Sequence, residues 1–209
     1  MDGHINFALF FIASWALIIT PGPDMIYVIT RGISQGRKAG LLSALGVTCG
    51  ILVHTAFAAL GLAIILQTSA IAFQIIKYAG AVYLVYLGIK SFRDKTEFDF
   101  QSNRQKGRNQ VIFTQGLLSN VFNPKVALFF LAFLPQFITT RNENTSLEMA
   151  GMGLIFAFCG LLFLSLVGFF SGSIGSWLTR KPAAANPLRW ITGSVMVGLG
   201  IRLAFMERQ

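Results

Sequence analysis

The sequence has little charge. Only 12% of its 209 residues are Asp, Glu, Lys or Arg, whereas an average soluble domain has roughly 25%. Hydrophobic residues make up 54%. Long apolar runs recur from one end of the chain to the other, so the apolar surplus does not belong to a single anchor or a single core. This excludes a soluble globular protein, and the whole chain is predicted to be membrane domain.

Residues that support catalysis, metal binding or disulfide chemistry are also scarce. The chain has two cysteines and two histidines. Cys49 and Cys159 lie inside apolar runs, where inert buried thiols are expected. There is no paired-carboxylate motif, no Gly-x-Ser-x-Gly and no Walker loop. We therefore predict no enzyme activity, no cofactor and no metal site, and any uphill transport would draw on an ion gradient.

The basic residues do not indicate nucleic-acid binding. The formal charge of +9 is carried by short loops between apolar runs, which is typical of membrane topology. No removable signal peptide is expected, because the first apolar run follows Met1-Asp2-Gly3-His4 without a basic region or an A-x-A-like cleavage site.

Six apolar segments are long enough to cross a membrane, which takes about 20 helical residues. Their approximate bounds are 5–29, 40–66, 71–92, 111–137, 149–178 and 188–206. The predicted fold class is an all-α polytopic membrane protein with one transporter domain. Repeat one covers about 5–92, a cytoplasmic loop about 93–110 and repeat two about 111–206. Because each half has three spans, the repeats must be inverted.

The first and fourth spans share an anomaly in their interiors. The first contains Thr20-Pro21-Gly22-Pro23-Asp24, and the fourth contains Asn120-Val121-Phe122-Asn123-Pro124-Lys125. Proline removes an amide donor and clashes with the preceding helical turn, so each motif is predicted to break its helix. Irregular backbone at membrane depth is tolerated where it lines a cavity, which predicts a binding site at the two breaks.

Each break carries an ionisable residue, Asp24 in the first and Lys125 in the second. A charge at the bilayer centre costs at least ~2.5–3.5 kcal/mol, which favours a functional role. The alternative, that either residue lies near an interface and reaches water, stays open. A broken helix also exposes free N–H and C=O groups, which attract a carboxylate and an ammonium respectively. A zwitterionic amino acid would suit two facing breaks.

Three further polar residues could belong to the site. Asn120 and Asn123 could hydrogen-bond the ligand or, equally, cap the half-helices. His54 ends the pattern Gly46-x-x-x-Gly50-x-x-x-His54 on one helix face, where the glycines indicate helix packing. Imidazole titrates near neutral pH, so His54 is a candidate proton relay, and a structural hydrogen bond is the alternative.

At these motifs the chain resembles the lysine-exporter superfamily, in particular its homoserine/threonine-resistance branch (LysE/RhtB type). The motifs that carry the resemblance are Pro21-Gly22-Pro23-Asp24, Arg37-Lys38-Ala39-Gly40, Gly46-x-x-x-Gly50-x-x-x-His54, Lys77-Tyr78-Ala79-Gly80-Ala81, Gly116-Leu117-Leu118-x-Asn120-x-x-Asn123-Pro124-Lys125 and Leu134-Pro135-Gln136-Phe137. Members often have Asn where this chain has Asp24.

The resemblance implies a permease of the bacterial inner membrane that exports homoserine, threonine or other neutral amino acids and analogues, with protons as the coupling ion. Its partners would be that substrate, protons and membrane lipids, without nucleic acid; a homo-oligomer stays open. Two other functions are alternatives to amino-acid export. A thiol-redox carrier would use Cys49 and Cys159, although both lack an adjacent proline. A metal exporter would need more soft ligands than the chain offers.

The loops give the first testable prediction. Lysine and arginine concentrate after the first, third and fifth spans, so by the positive-inside rule both termini are extracytoplasmic. A reporter fused after Gln209 should be active only outside the cytoplasm, and one inserted near Asn103 only inside it. A cytoplasmic C-terminus would contradict the inverted repeat as well.

Overall fold

The computed structural model describes residues 2–62, 70–93, 108–138, 145–174 and 185–205, which are almost entirely helical and contain no strand. The α-helices are α1 Asp2–Ile19, α2 Pro23–Gln35, α3 Arg37–Phe57, α4 Ala70–Arg93, α5 Asn109–Val121, α6 Pro124–Leu128, α7 Thr145–Phe169 and α8 Ala185–Phe205. A π-helical turn, Ala58–Leu62, extends α3, and π-helical Phe129–Phe133 followed by 3-10 Leu134–Phe137 extends α6.

Both predicted helix breaks are present. The segments Phe7–Ile19 and Pro23–Gln35 meet at 47°, and Asn109–Val121 and Pro124–Phe137 meet at 46°. Pro23 and Pro124 are the first residues of α2 and α6. Proline is tolerated at that position because its missing amide would have no intrahelical partner there. The two prolines therefore start new helices at a new angle.

The apolar helices make the chain a polytopic membrane protein. Arg37–Gly61 and Thr145–Phe169 are each long and apolar enough to cross a bilayer, and each bent pair is so when its two segments are taken together. Gly193–Phe205, the apolar part of α8, is shorter than a span requires. Six spans in two inverted repeats therefore remain a prediction. Most of the predicted cytoplasmic loop, residues 94–107, and the predicted span ends at Leu66, Leu178 and Met206 lie outside the described ranges.

Helix α3 lies at the centre and packs against α2, α5 and α7. Its glycines allow this, as the sequence predicted. A Cβ added to Gly46 would lie 2.2 Å from the Phe113 carbonyl oxygen of α5, and one on Gly50 would lie 2.6 Å from Asn120 Cβ. Both distances are shorter than the closest approach of a real Cβ atom, so α3 and α5 are in contact at positions where only glycine fits. This contact brings the second break to the middle of the molecule.

Two polar contacts fasten α2 to α5 beside this crossing. The Tyr27 hydroxyl donates to the Ile112 carbonyl at 2.8 Å, and the Arg31 guanidinium donates to the Gln115 side chain. The other close pair in the described chain is α4 with α8. Because α2 and α5 are joined along their length, the N-terminus of α2 is held against the C-terminus of α5.

Candidate functional site

Asp24 lies in the first turn of α2 and is 8% exposed. Its carboxylate accepts three hydrogen bonds from the region of the second break. Ser119 Oγ donates to Oδ1 at 3.2 Å, while Asn120 Nδ2 and Asn123 Nδ2 donate to Oδ2 at 2.7 and 2.8 Å. Hydrogen bonds to an ionised group are among the stronger ones in proteins. Neutral donors around the second break thus bind the carboxylate of Asp24 at the first break.

Asn123 has two roles at once. Its Nδ2 donates to Asp24, and its Oδ1 accepts from the backbone amide of Lys125 at 3.0 Å, which caps the N-terminus of α6. Asn120 does not cap a helix; it is fully buried and binds Asp24. Asn120 therefore makes a polar contact without capping a helix, whereas Asn123 does both.

Lys125 reaches back from α6 to the end of α1. Its ammonium donates to the carbonyl oxygens of Leu17 and Thr20 at 3.0 and 2.8 Å. These carbonyls belong to the last turn before the break, where the helix has no amide to offer them. A cation there also complements the negative end of the helix dipole. Lys125 is thus directed at backbone inside the protein.

The ammonium of Lys125 also lies against Gly22, where an added Cβ would be 3.2 Å from Nζ. Gly22 itself is extended, with φ −166°, a conformation open to any residue. Its role is therefore to leave room for the lysine. Pro21 lies in the break between the two helices.

Asp24 and Lys125 line one cavity of about 30 Å³. Among the described residues no ion pair joins them, since each has its own partners. Thr20 and Asn120 complete the polar side of the cavity. Val47, Ile51, Phe156, Gly160 and Leu164, from α3 and α7, form an apolar wall of the cavity. The volume suffices for one or two water molecules.

His54 lies behind Asn120 rather than on the cavity. Its Nε2 is 3.2 Å from the Asn120 carbonyl oxygen, and its ring stacks on Phe130 with the centroids 5.8 Å apart. A bond to a carbonyl requires a proton on Nε2. The geometry favours the structural hydrogen bond, because none of the described contacts of His54 reaches Asp24.

A cluster of buried phenylalanines adjoins the cavity. Phe156 belongs to the cavity wall and stacks on Phe129 at 4.8 Å between centroids. Further ring contacts join Phe129 to Phe133, and Phe133 to Phe137. Each of these rings is at most 4% exposed. The rings form a continuous apolar cluster that reaches the cavity at Phe156.

Sequence reasoning missed part of the site. Ser119 precedes Asn120 in the motif of the fourth span, and its position there is written as any residue. The carbonyls of Leu17 and Thr20 have no sequence signal beyond lying before a break. Ile51, Phe156 and Gly160 are apolar or small residues in apolar runs, and only tertiary packing places them together.

The described residues show no metal or redox centre. No group of three His, Cys, Asp or Glu side chains is placed to hold a metal among them. Cys49 on α3 is half-buried and Cys159 on α7 is buried, and both are free thiols. No observation here favours a thiol-redox or metal-exporting function.

The chain matches the family described as LysE type translocator over residues 15–207. It is 32% identical over 195 residues to the uncharacterised membrane protein YrhP of Bacillus subtilis, covering 89% of this chain and 92% of that protein. It is 30% identical over 211 residues to a leucine efflux protein of Klebsiella pneumoniae and over 218 residues to one of Salmonella typhimurium. Both alignments cover 98% of this chain and 97% of the relative. No solved structure matches the chain.

The contact between Asp24 and Asn123 predicts the outcome of a charge swap. Asn123→Asp keeps a good helix cap but places a second carboxylate against Asp24 and removes a hydrogen bond worth about 2 kcal/mol. The melting temperature in detergent should fall by about 5 °C or more. Adding Asp24→Asn restores one carboxylate and one amide, and most of that loss should be recovered.

The matched control is Asn109→Asp, the same chemical change at the exposed first residue of α5. It should leave the melting temperature nearly unchanged. If the swapped double variant were as unstable as the two single changes together, the hydrogen bond would not be what holds the breaks together.

Proposed function

We propose that this chain, which belongs to the LysE type translocators, exports neutral amino acids across the bacterial inner membrane, in the orientation predicted from its loops. It is a membrane transporter and not an enzyme. The observation that carries the proposal is the pairing of the two helix breaks, which place a carboxylate and an ammonium on one cavity. The leucine efflux proteins among its relatives support an amino-acid substrate.

The substrate carboxylate is assigned to Lys125 and the start of α2. The N-cap of α2, Gly22, has no side-chain hydrogen bond to the helix, and the first-turn residues Asp24 and Met25 line the cavity. Uncapped amides at a helix N-terminus bind carboxylates. At the other break, by contrast, Asn123 already caps α6. Only the first break therefore offers both free amides and a cation.

The substrate ammonium is assigned to Asp24 and the end of α1. The Leu17 and Thr20 carbonyls already hold an ammonium, that of Lys125, so they have the geometry for a second one when Lys125 turns to the substrate carboxylate. Asp24 supplies the opposite charge. In this structure Lys125 thus occupies part of the place assigned to the substrate's amino group.

A neutral side chain suits the remaining wall. Val47, Ile51, Phe156 and Leu164 offer no counterion and no hydrogen-bond partner, and burying an unpaired charge there would be costly. Among the neutral substrates that the family resemblance implies, this wall favours aliphatic side chains over the hydroxyl groups of homoserine and threonine.

Transport requires the cavity to open on alternate sides. At about 30 Å³ it cannot hold an amino acid, so substrate entry must move the helices apart. The buried phenylalanines next to Phe156 are assigned as the barrier on one side of the cavity. The two bent spans are the elements expected to move, because each changes direction at the site.

Proton coupling is assigned to Asp24, the one carboxylate among the described residues that line this cavity. When ionised it attracts the substrate ammonium, and when protonated it releases it, which exchanges a proton for the substrate. His54 is assigned a positioning role, because it holds the Asn120 backbone and so fixes the donor to Asp24.

Growth protection tests the function. Overexpression should raise the tolerance of a bacterial host to toxic concentrations of leucine and to toxic analogues of neutral amino acids, and Lys125→Met should abolish the effect. Lys90→Met, which removes an exposed cation on α4, is the matched control and should protect fully. Protection that persists in Lys125→Met, with equal membrane levels, would rule out the zwitterion site.

Asp24→Asn tests the coupling. In proteoliposomes the export rate of the unmodified protein should respond to a pH gradient, and the variant should lose that response even where residual exchange of substrate continues. Glu148→Gln, a carboxylate-to-amide change in the first turn of α7, should keep it. An Asp24→Asn protein with unchanged pH dependence would show that another residue couples the proton.

A further inference from the structure

Helices α3 and α7 approach each other closely at two places. A Cβ added to Gly40 would lie 2.6 Å from the Gly168 carbonyl oxygen, and one added to Gly153 would lie 2.4 Å from Thr55 Cγ2. Glycine at these positions is explained by the close approach of the two helices. The contacts at both ends make α3 and α7 one rigid wall.

Gly160 lies on α7 between the two contacts and is not explained in this way. An added Cβ would meet only one side-chain atom within 4 Å, Ile51 Cδ1 at 3.2 Å. Both residues line the cavity that holds Asp24 and Lys125. The missing side chain at residue 160 therefore leaves space on the cavity rather than room for another helix.

The same cavity carries the groups to which the proposed export assigns the charged ends of the substrate, Asp24 and Lys125. Asn120 also lines it and is fully buried. Its Oδ1 lies against α3, 2.7 Å from the Cβ position of Gly50. The space over Gly160 is therefore on the same cavity as the two charged groups.

We propose that the space over Gly160, bounded by Ile51 and Phe156, receives the substrate side chain and sets the largest side chain that is exported. The inference rests on the proposed amino-acid export. With the two charged ends of the substrate held at Asp24 and Lys125, its side chain is assigned to the apolar wall that α3 and α7 form on the same cavity. Opening on the polar side widens the cavity, while the wall keeps its shape because it is fixed at both ends.

Gly160→Ala tests the proposal, because it adds one methyl group at the floor of this space. One methylene in an apolar pocket changes discrimination between substrates by about 10–200-fold. In proteoliposome counterflow, leucine transport relative to alanine transport should fall at least ~10-fold, with alanine transport retained. Gly151→Ala is the matched control, since it makes the same change on α7 with nothing within 4 Å.

Ile51→Val tests the same space in the opposite direction. It removes Cδ1, the atom that the new methyl group would meet. Alone it should raise transport of phenylalanine relative to leucine. Combined with Gly160→Ala it should restore most of the leucine-to-alanine ratio. Ile51→Val alone still tests the proposed side-chain space if the Gly160→Ala protein fails to reach the membrane.

The outcomes separate the two proposals. An unchanged leucine-to-alanine ratio in Gly160→Ala, or a parallel fall of both amino acids, would overturn the assignment of the side-chain space and leave the proposed export intact. So would an Ile51→Val protein with the original selectivity. If the unmodified protein moved no amino acid at all, the proposed function would fall and this inference with it.

Discussion

A helix broken inside hydrocarbon must find partners for its own backbone, because no water is there to supply them. In this protein the second break supplies partners to the first. Lys125 beyond the second break binds the carbonyls at the end of α1, while Asn120 and Asn123 bind the carboxylate at the start of α2. The glycines of α3 and the polar contacts between α2 and α5 follow from this requirement, since they bring the breaks within hydrogen-bonding distance.

The sequence predicts the breaks well, because proline and ionisable residues in long apolar runs have few structural explanations. It cannot predict their partners. Asp24 and Asn123 are 99 residues apart, and nothing local indicates that Asn123 would both cap α6 and bind Asp24. Nor does the sequence show that Lys125 binds backbone carbonyls rather than Asp24, because that choice depends on the angle of each bend.

Glycine marks a further limit of sequence reasoning. Gly46, Gly160 and Gly168 all lie in apolar helices and look alike in sequence. In the structure, Gly46 and Gly168 allow backbone contact and Gly160 borders a cavity. Helix ends show a similar limit. The second span begins at Arg37 rather than near residue 40, and it contains a π-helical turn at Ala58–Leu62 that no apolar pattern predicts.

The different capping of the two breaks has a consequence for stereochemistry. Because α6 is capped by its own asparagine and α2 is not, the two breaks are not interchangeable, and under the proposed export the substrate would lie between them only one way round. Its carboxylate and ammonium would then have fixed places, and the wall of α3 and α7 would give a third for the side chain. Three fixed points distinguish a molecule from its mirror image, so the same arrangement would separate L-amino acids from D-amino acids without any residue dedicated to that task.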